Sequence, residues 1–218
     1  MNDPVGAPGS TPGGDRRPIA ARHLRPTILL ADWLVRRGAS ANAISVAGMI
    51  CALLAGWTLA VAPGSSALWL AAAVLIQLRL LANMLDGMVA VGRGVASAVG
   101  ELYNEVPDRI SDTAVLIGVG FAAGQTWLGW AAALAAMATA YIRALGKSMN
   151  QPSDFRGPMA KPHRMALLTA LCVWCALAPT AWTQRAPEFA LYIILTLSAV
   201  TAGRRLLRLA SALQSDKK

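Results

Sequence analysis

Carboxylate and carboxamide side chains recur at helical spacing inside a sequence that is otherwise mostly apolar. Asn83 and Asp86 are three positions apart and Asn104 and Asp108 are four apart, so each pair lies on one face of a helix. An ionised carboxylate in hydrocarbon is costly unless it is paired, hydrated or bound to a metal. Oxygen ligands suit hard cations such as Mg²⁺, Mn²⁺ or Ca²⁺. The pattern predicts a cation site where two antiparallel neighbouring helices face each other.

Small residues and basic residues accompany these oxygen ligands. Gly87, Ala90 and Gly100 leave space beside the acids for a bulky flat ligand. A basic segment further along the chain is suited to a phosphate group or to an anionic headgroup. The alternative is that this segment only anchors the protein at the membrane. Its candidate phosphate-binding residues are Arg143, Lys147, Lys161 and Arg164.

The composition indicates a membrane protein. Hydrophobic residues make up 56% of the chain and charged residues 14%, whereas about 25% of the residues in a soluble domain are charged. The net charge of +9 raises the question of nucleic-acid binding. The basic residues lie between apolar runs, so we expect anionic membrane lipids as partners and no nucleic acid.

An all-α integral membrane fold is predicted, with six transmembrane helices after an interfacial amphipathic helix. Residues 1–24 are rich in Gly, Pro and Arg and are predicted to be a disordered basic tail. Residues 25–38 combine an apolar face with terminal arginines, which is typical of a juxtamembrane helix. The six-helix domain is expected at 42–213, with spans at 42–62, 67–92, 101–123, 127–148, 165–180 and 186–207.

The loop charges predict the orientation in the membrane. The loops near 63–66 and 123–127 contain no Lys or Arg, and the loop near 181–187 contains only Arg185. The other loops and both termini are basic. By the positive-inside rule, both termini and the acidic cluster are expected on the cytoplasmic side of the cell (inner) membrane.

The spacing of the acidic cluster resembles the signature of the CDP-alcohol phosphotransferase family. That signature reads D-x2-D-G-x2-A-R-x8-G-x3-D-x3-D, and this chain reads N-x2-D-G-x2-A-V-x8-G-x3-N-x3-D. The matching positions are Asp86, Gly87, Ala90, Gly100 and Asp108. The differing positions are Asn83 and Asn104, which replace aspartates, and Val91, which replaces arginine.

The resemblance implies a reaction of phospholipid biosynthesis. Such enzymes transfer a phosphatidyl or substituted phosphoryl group from a CDP-linked donor, here CDP-diacylglycerol, to an alcohol acceptor and release CMP. Asp108 would be the general base, and a homodimer is implied. One or two Mg²⁺ or Mn²⁺ ions would be held by Asn83, Asp86, Asn104 and Asp108. The nucleotide would lie against Gly87, Ala90 and Gly100.

The two asparagines remove two negative charges and so weaken the case for a second metal. Glu105 and Asp112 are candidates for compensating acids, and Arg79 is either a phosphate contact or a counter-ion of Asp86. Three alternatives to an active enzyme stay open. The acids belong to a catalytically impaired relative that binds nucleotide or lipid as a partner subunit, to a small transporter, or to a polar network that only joins helices. The acceptor alcohol is not specified by the sequence.

Overall fold

The computed structural model describes residues 24–93 and 98–215, with side chains from residue 102 onward in the second range. The described part is helical and contains no strand, so the predicted all-α fold is confirmed. Nearly all of the predicted disordered tail lies outside the described residues. The helices are α1 (Arg25–Arg36), α2 (Ala41–Ala60), α3 (Ser66–Gly92), α4 (Ala98–Ala122), α5 (Thr126–Ser148), α6 (Lys161–Leu177), α7 (Thr180–Thr183) and α8 (Ala186–Ser215).

Helix α1 is short and is set apart from the bundle by a glycine. Pro26 occupies its first turn, where a missing N–H costs no helical hydrogen bond. Gly38 follows the helix with a φ of 71°, a conformation that glycine adopts without strain. Arg93, which directly follows α3, donates to the backbone oxygens of Gly38 and Ala39 at 3.2 and 2.9 Å. This contact holds the end of α3 against the connection between α1 and α2.

Helix α2 packs along both α3 and α4, and small residues allow the close approach. A Cβ on Gly56 or on Gly118 would collide with the backbone of the other helix, so α2 and α4 touch backbone to backbone. Gly48 similarly faces Ala82 of α3. Because α2 takes up these faces, α3 and α4 contact each other over only a short stretch. The expected antiparallel neighbours therefore meet mainly through long polar side chains.

Four segments are long and apolar enough to cross a membrane: Ala41–Ala60, Ser66–Gly92, Thr126–Ser148 and Thr180–Ser215, the last of which contains α7 and α8. The other two predicted spans correspond to α4, which carries charged residues in its first half, and to α6, which has only 17 residues. Large apolar side chains such as Trp57, Leu134 and Leu177 are exposed on the outside. These features are those of an integral membrane protein.

Candidate functional site

Asp86 and Asn83 place two oxygen ligands one turn apart on α3. Asp86 is 5% exposed, and its carboxylate accepts a hydrogen bond from the Ser45 hydroxyl of α2 at 2.6 Å. The backbone N–H of Gly87 also donates to it. The Asn83 Oδ1 atom is buried, and no described residue donates a hydrogen bond to it. A buried acceptor without a donor is costly, so this oxygen is suited to an external ligand.

Asp108 on α4 is paired with two cations. It is 6% exposed, and its Oδ1 atom contacts both the Arg79 guanidinium of α3 and the Lys161 ammonium of α6, the latter at 2.6 Å. Arg79 is 3% exposed and also donates from Nε to the Ser111 hydroxyl at 2.8 Å. The direct ion pair of Arg79 is therefore with Asp108, and it connects α3 to α4.

Asp112 lies one turn further along α4 and is paired with Arg164 of α6. The Arg164 guanidinium donates to Asp112 Oδ2 at 2.8 Å and to the backbone oxygen of Met159 at 2.8 Å. Arg164 is 1% exposed, so this pair is enclosed by protein. Asp112 was predicted as a compensating acid and Arg164 as a phosphate-binding cation, and the structure pairs them with each other.

Glu105 and Asn104 lie nearer the start of α4. Glu105 is paired with Arg109 at 2.7 Å and with Arg143 of α5 at 2.5 Å, and the Arg143 guanidinium lies over the Phe155 ring. Asn104 is exposed. Glu105 and Asp112, the predicted compensating acids, are thus each bound to arginines. Lys147 is exposed near the end of α5, Gly87 and Ala90 are half-buried in the last turns of α3, and Gly100 is in the first turn of α4.

The loop from residue 149 to 160 positions Lys161. The Met159 backbone N–H donates to the Thr201 hydroxyl of α8 at 3.0 Å. Arg205 of α8 donates to the backbone oxygen of Arg156 at 3.0 Å, and Arg208 donates to Asp154 at 3.0 Å. Sequence reasoning missed Ser45, Ser111, Thr201 and Arg205. In the sequence these four stand out only as polar residues in mostly apolar helices. This does not show which residue each of them contacts.

The side chains around Asp86 fit one divalent cation. Asp86 and the unpartnered Asn83 oxygen supply two protein ligands, and Mg²⁺ sites commonly combine one or two carboxylates with substrate phosphates and water. Among the residues with described side chains, no three or more His, Cys, Asp or Glu converge on one point.

Comparison with known proteins identifies a family. The sequence profile of CDP-alcohol phosphatidyltransferases matches residues 39–212. The inner membrane protein YnbA of Escherichia coli is 27% identical over 169 residues, which cover 77% of this chain and 82% of YnbA. The phosphatidylinositol phosphate synthase of Mycobacteroides abscessus is 25% identical over 183 residues, which cover 81% of this chain and 80% of the synthase.

Two crystal structures of the phosphatidylinositol phosphate synthase PgsA1 of Mycobacterium tuberculosis have a similar fold. The structure in complex with manganese and citrate has a TM-score of 0.72 and is 21% identical, covering 84% of this chain and 88% of that one. The structure with CDP-DAG bound has a TM-score of 0.71 and the same identity, covering 85% of this chain and 94% of that one. At this identity the similarity establishes the shared fold.

Proposed function

Because the chain belongs to the CDP-alcohol phosphatidyltransferase family, we propose that it transfers a phosphatidyl or substituted phosphoryl group from a CDP-linked lipid to an alcohol and releases CMP. The donor is proposed to be CDP-diacylglycerol, the lipid bound in one of the PgsA1 structures. The observation that carries the proposal is the burial of Asp86 and Asp108 at two aspartate positions of the family signature. The two carboxylates come from the two helices that Arg79 connects.

The residues of the site divide into three roles. Asp86 and Asn83 would hold a divalent cation, Mg²⁺ or Mn²⁺, which neutralises charge on the donor pyrophosphate. Asp108 would accept the proton of the acceptor hydroxyl, which requires a carboxylate within hydrogen-bond reach of that group. Gly87, Ala90 and Gly100 would adjoin the nucleotide. The half-buried positions of Gly87 and Ala90 at the end of α3 support that assignment.

The acceptor is proposed to be an alcohol that carries a phosphate. Of the four cations predicted to bind it, Arg164 is enclosed with Asp112 and Lys161 contacts Asp108. Arg143 is partly exposed and Lys147 is exposed, and both lie in the last two turns of α5. We therefore assign acceptor binding to Lys147, the most exposed of the four; Arg143 is paired with Glu105 as Lys161 is with Asp108. The similarity to phosphatidylinositol phosphate synthases supports a phosphorylated polyol.

The lengths of the helices support a site near one membrane surface. At about 1.5 Å per residue, the 27 residues of α3 reach about 40 Å, whereas the hydrocarbon core is about 30 Å thick. If α3 enters the membrane at Ser66, Asp86 falls at the opposite boundary. We propose six spans, of which α4 and α6 are the less apolar two. Helix α1 would lie in the membrane interface, with Ile28, Leu29 and Trp33 toward the lipid. Both termini and the site would be cytoplasmic. A homodimer is proposed from the family resemblance.

A transfer assay tests the proposed reaction. The purified chain is incubated in detergent micelles with CDP-diacylglycerol, Mn²⁺ and a panel of free and phosphorylated alcohols, and CMP is measured. We expect CMP release that depends on the alcohol and is lost in Asp86→Ala and in Asp108→Ala. Asp32→Ala, which changes an exposed acid of α1, is the control and should leave the rate unchanged. Undiminished activity in both site variants would refute the assignment of the site.

A second candidate function is donor binding without turnover. It is favoured by the two asparagines at aspartate positions and by the two cations that already contact Asp108. This function predicts that CDP-diacylglycerol binds, as measured by calorimetry, while no alcohol in the panel releases CMP. Acceptor-dependent release of CMP by the wild-type chain would exclude it.

A further inference from the structure

We infer that Arg79 and Lys161 take the place of a second divalent cation, so that this chain holds one divalent cation, beside Asp86 and Asn83. The inference rests on the proposed function, because it concerns the way in which the same site neutralises the donor pyrophosphate. It selects one ion, where the resemblance leaves one or two open. It follows from the charges and contacts of this chain.

The charges at the signature positions are too few for two divalent cations. Two of the four aspartates of the signature are asparagines here, so only Asp86 and Asp108 contribute negative charge. An asparagine oxygen can ligate a metal but does not offset its charge. Asn104 is exposed, and Glu105 and Asp112 are already paired with arginines. The carboxylate of Asp108 is in addition contacted by two cations of this chain, Arg79 and Lys161.

The contacts at Asp108 leave its Oδ1 atom unsuited to a metal. Arg79 and the Lys161 ammonium both approach this oxygen, with Lys161 at 2.6 Å. A divalent cation bound there would lie within a few ångströms of two positive charges in a poorly hydrated setting, where like charges repel strongly. The Asp86 carboxylate has a different environment. Its hydrogen-bond partners are the Ser45 hydroxyl and a backbone N–H, and the Arg79 charge acts on it without a direct ion pair. The neighbouring Asn83 oxygen is unpartnered among the described residues.

Arg79 and Lys161 are held in place by the fold. Arg79 is buried and bonded to Ser111, and Gly48 of α2 leaves room for its guanidinium: a Cβ on Gly48 would lie 3.4 Å from Arg79 Nη1. Lys161 begins α6 directly after the loop that Thr201 fixes through the Met159 N–H. Positioned cations stabilise the charge of a transferring phosphoryl group in the way a metal does. Arg79 Nη1 is buried, and no described residue accepts a hydrogen bond from it.

Counting bound Mn²⁺ by electron paramagnetic resonance tests the inference directly. The full-length chain in detergent is titrated with Mn²⁺ with and without CDP, and the loss of the free six-line signal gives the number bound. We expect one Mn²⁺ per chain without spin coupling, and none in Asp86→Ala. The inference would be overturned by two bound ions or a spin-coupled pair, and equally by no bound ion. It would also be overturned if Asp86→Ala bound Mn²⁺ as the wild type does.

A matched pair of variants tests whether the two cations keep the second ion out. The triple variant Arg79→Gln, Lys161→Gln and Asn104→Asp should bind a second Mn²⁺. The control combines Asn104→Asp with Arg156→Gln, which removes a cation paired with Asp154 in the loop after α5, and should still bind one. A second ion in the control, or only one in a folded triple variant, would contradict the inference. If the triple variant does not fold, the number of Mn²⁺ ions bound per wild-type chain decides whether the inference holds.

The outcome is independent of the transfer assay. A chain that binds one Mn²⁺ at Asp86 but releases no CMP with any acceptor refutes the proposed reaction and leaves the metal count standing. A chain that releases CMP and binds two ions refutes the metal count and leaves the reaction standing.

Discussion

Asp108 and Asp112 are chemically alike and lie one turn apart on α4, yet their surroundings differ. Both are nearly fully buried, and both contact an arginine from another helix. The partner of Asp112 is enclosed, because Arg164 is 1% exposed and also bonds a backbone oxygen. Asp108 has a second partner, Lys161, whose side chain is 19% exposed. The Lys161 ammonium is itself buried, so the two pairs differ in the number of contacts: Asp108 contacts two cations from two helices, whereas Asp112 is ion-paired directly with Arg164.

The largest effect is expected when Asp108 loses its charge. Asp108→Asn keeps the size of the side chain but removes the base, and general-base catalysis contributes about 10²- to 10⁴-fold to a rate. We expect kcat for CMP release to fall by about that factor. Helical content measured by circular dichroism should be retained. A variant that keeps more than half of the wild-type kcat would place the base elsewhere.

Breaking the Asp112 pair should reduce stability and leave the chemistry intact. Arg164→Ala leaves a buried carboxylate without its hydrogen-bonded partner, which typically costs about 3–5 kcal/mol. Lys161, whose charge also acts on Asp112, should hold the loss toward the lower end of that range. We expect a lower Tm in detergent and a smaller free energy of unfolding, while kcat per folded molecule stays close to that of the wild type.

The double variant Asp112→Leu and Arg164→Met is the control for that prediction. It removes both charges, so most of the lost stability should return. If Arg164→Ala instead abolishes activity without lowering the Tm, the comparison between the two aspartates fails and Arg164 belongs to the reactive site.

The sequence predicted the parts of the site that depend on local spacing. Asn83 and Asp86 lie on one helical face because of their separation along the chain. The contacts of Asp86 with Ser45 and of Asp112 with Arg164 join residues 41 and 52 positions apart. Such contacts depend on which helices pack together, and spacing does not report this. The basic segment before α6 was recognised, but its division into an enclosed Arg164 and a partly exposed Lys161 was not.

The inability of local spacing to report long-range contacts also affects the prediction of the membrane spans. The apolar spans were recognisable by length and hydropathy, and four of them satisfy both criteria. Helix α4 does not satisfy them, because acids and an arginine interrupt its apolar sequence. Partners from α3, α5 and α6 neutralise these acids in the structure. Its charged residues are acceptable in the bundle only because of that long-range pairing.

Removing the Ser45 hydroxyl should weaken cation binding and leave the stability of the fold nearly unchanged. Ser45 donates to Asp86 from the neighbouring helix, and partners that orient a metal ligand typically contribute about 10- to 100-fold to metal affinity. For Ser45→Ala we expect the Kd for Mn²⁺ to rise by about tenfold or more with little change in Tm. Thr58→Ala is the matched control, since Thr58 lies on the exposed side of α2 and bonds only Leu54 O. If both variants changed the Kd for Mn²⁺ equally, Ser45 would not be part of the cation site.

The smallest effect is expected at Asp154, in the loop whose Met159 oxygen accepts from Arg164. Partial burial raises the pKa of Asp154, but hydrogen bonds from the Arg156 N–H and side chain and from Arg208 outweigh it, so the pKa lies below its usual value. The ionised form is therefore favoured by the fold. Its contribution is present at neutral pH and is lost as the pH falls through the lowered pKa.

Asp154→Asn should accordingly be less stable than the wild type at pH 7 by about 0.2–1 kcal/mol, the range of exposed ion pairs. The difference in Tm should shrink below about pH 4, where the wild-type carboxylate is itself protonated. Because Asp154 contacts Arg156 and Arg208 and neither of the proposed cation ligands, the Kd for Mn²⁺ should not change. A difference in Tm that is constant from pH 7 to pH 3 would mean that the charge of Asp154 does not stabilise the loop.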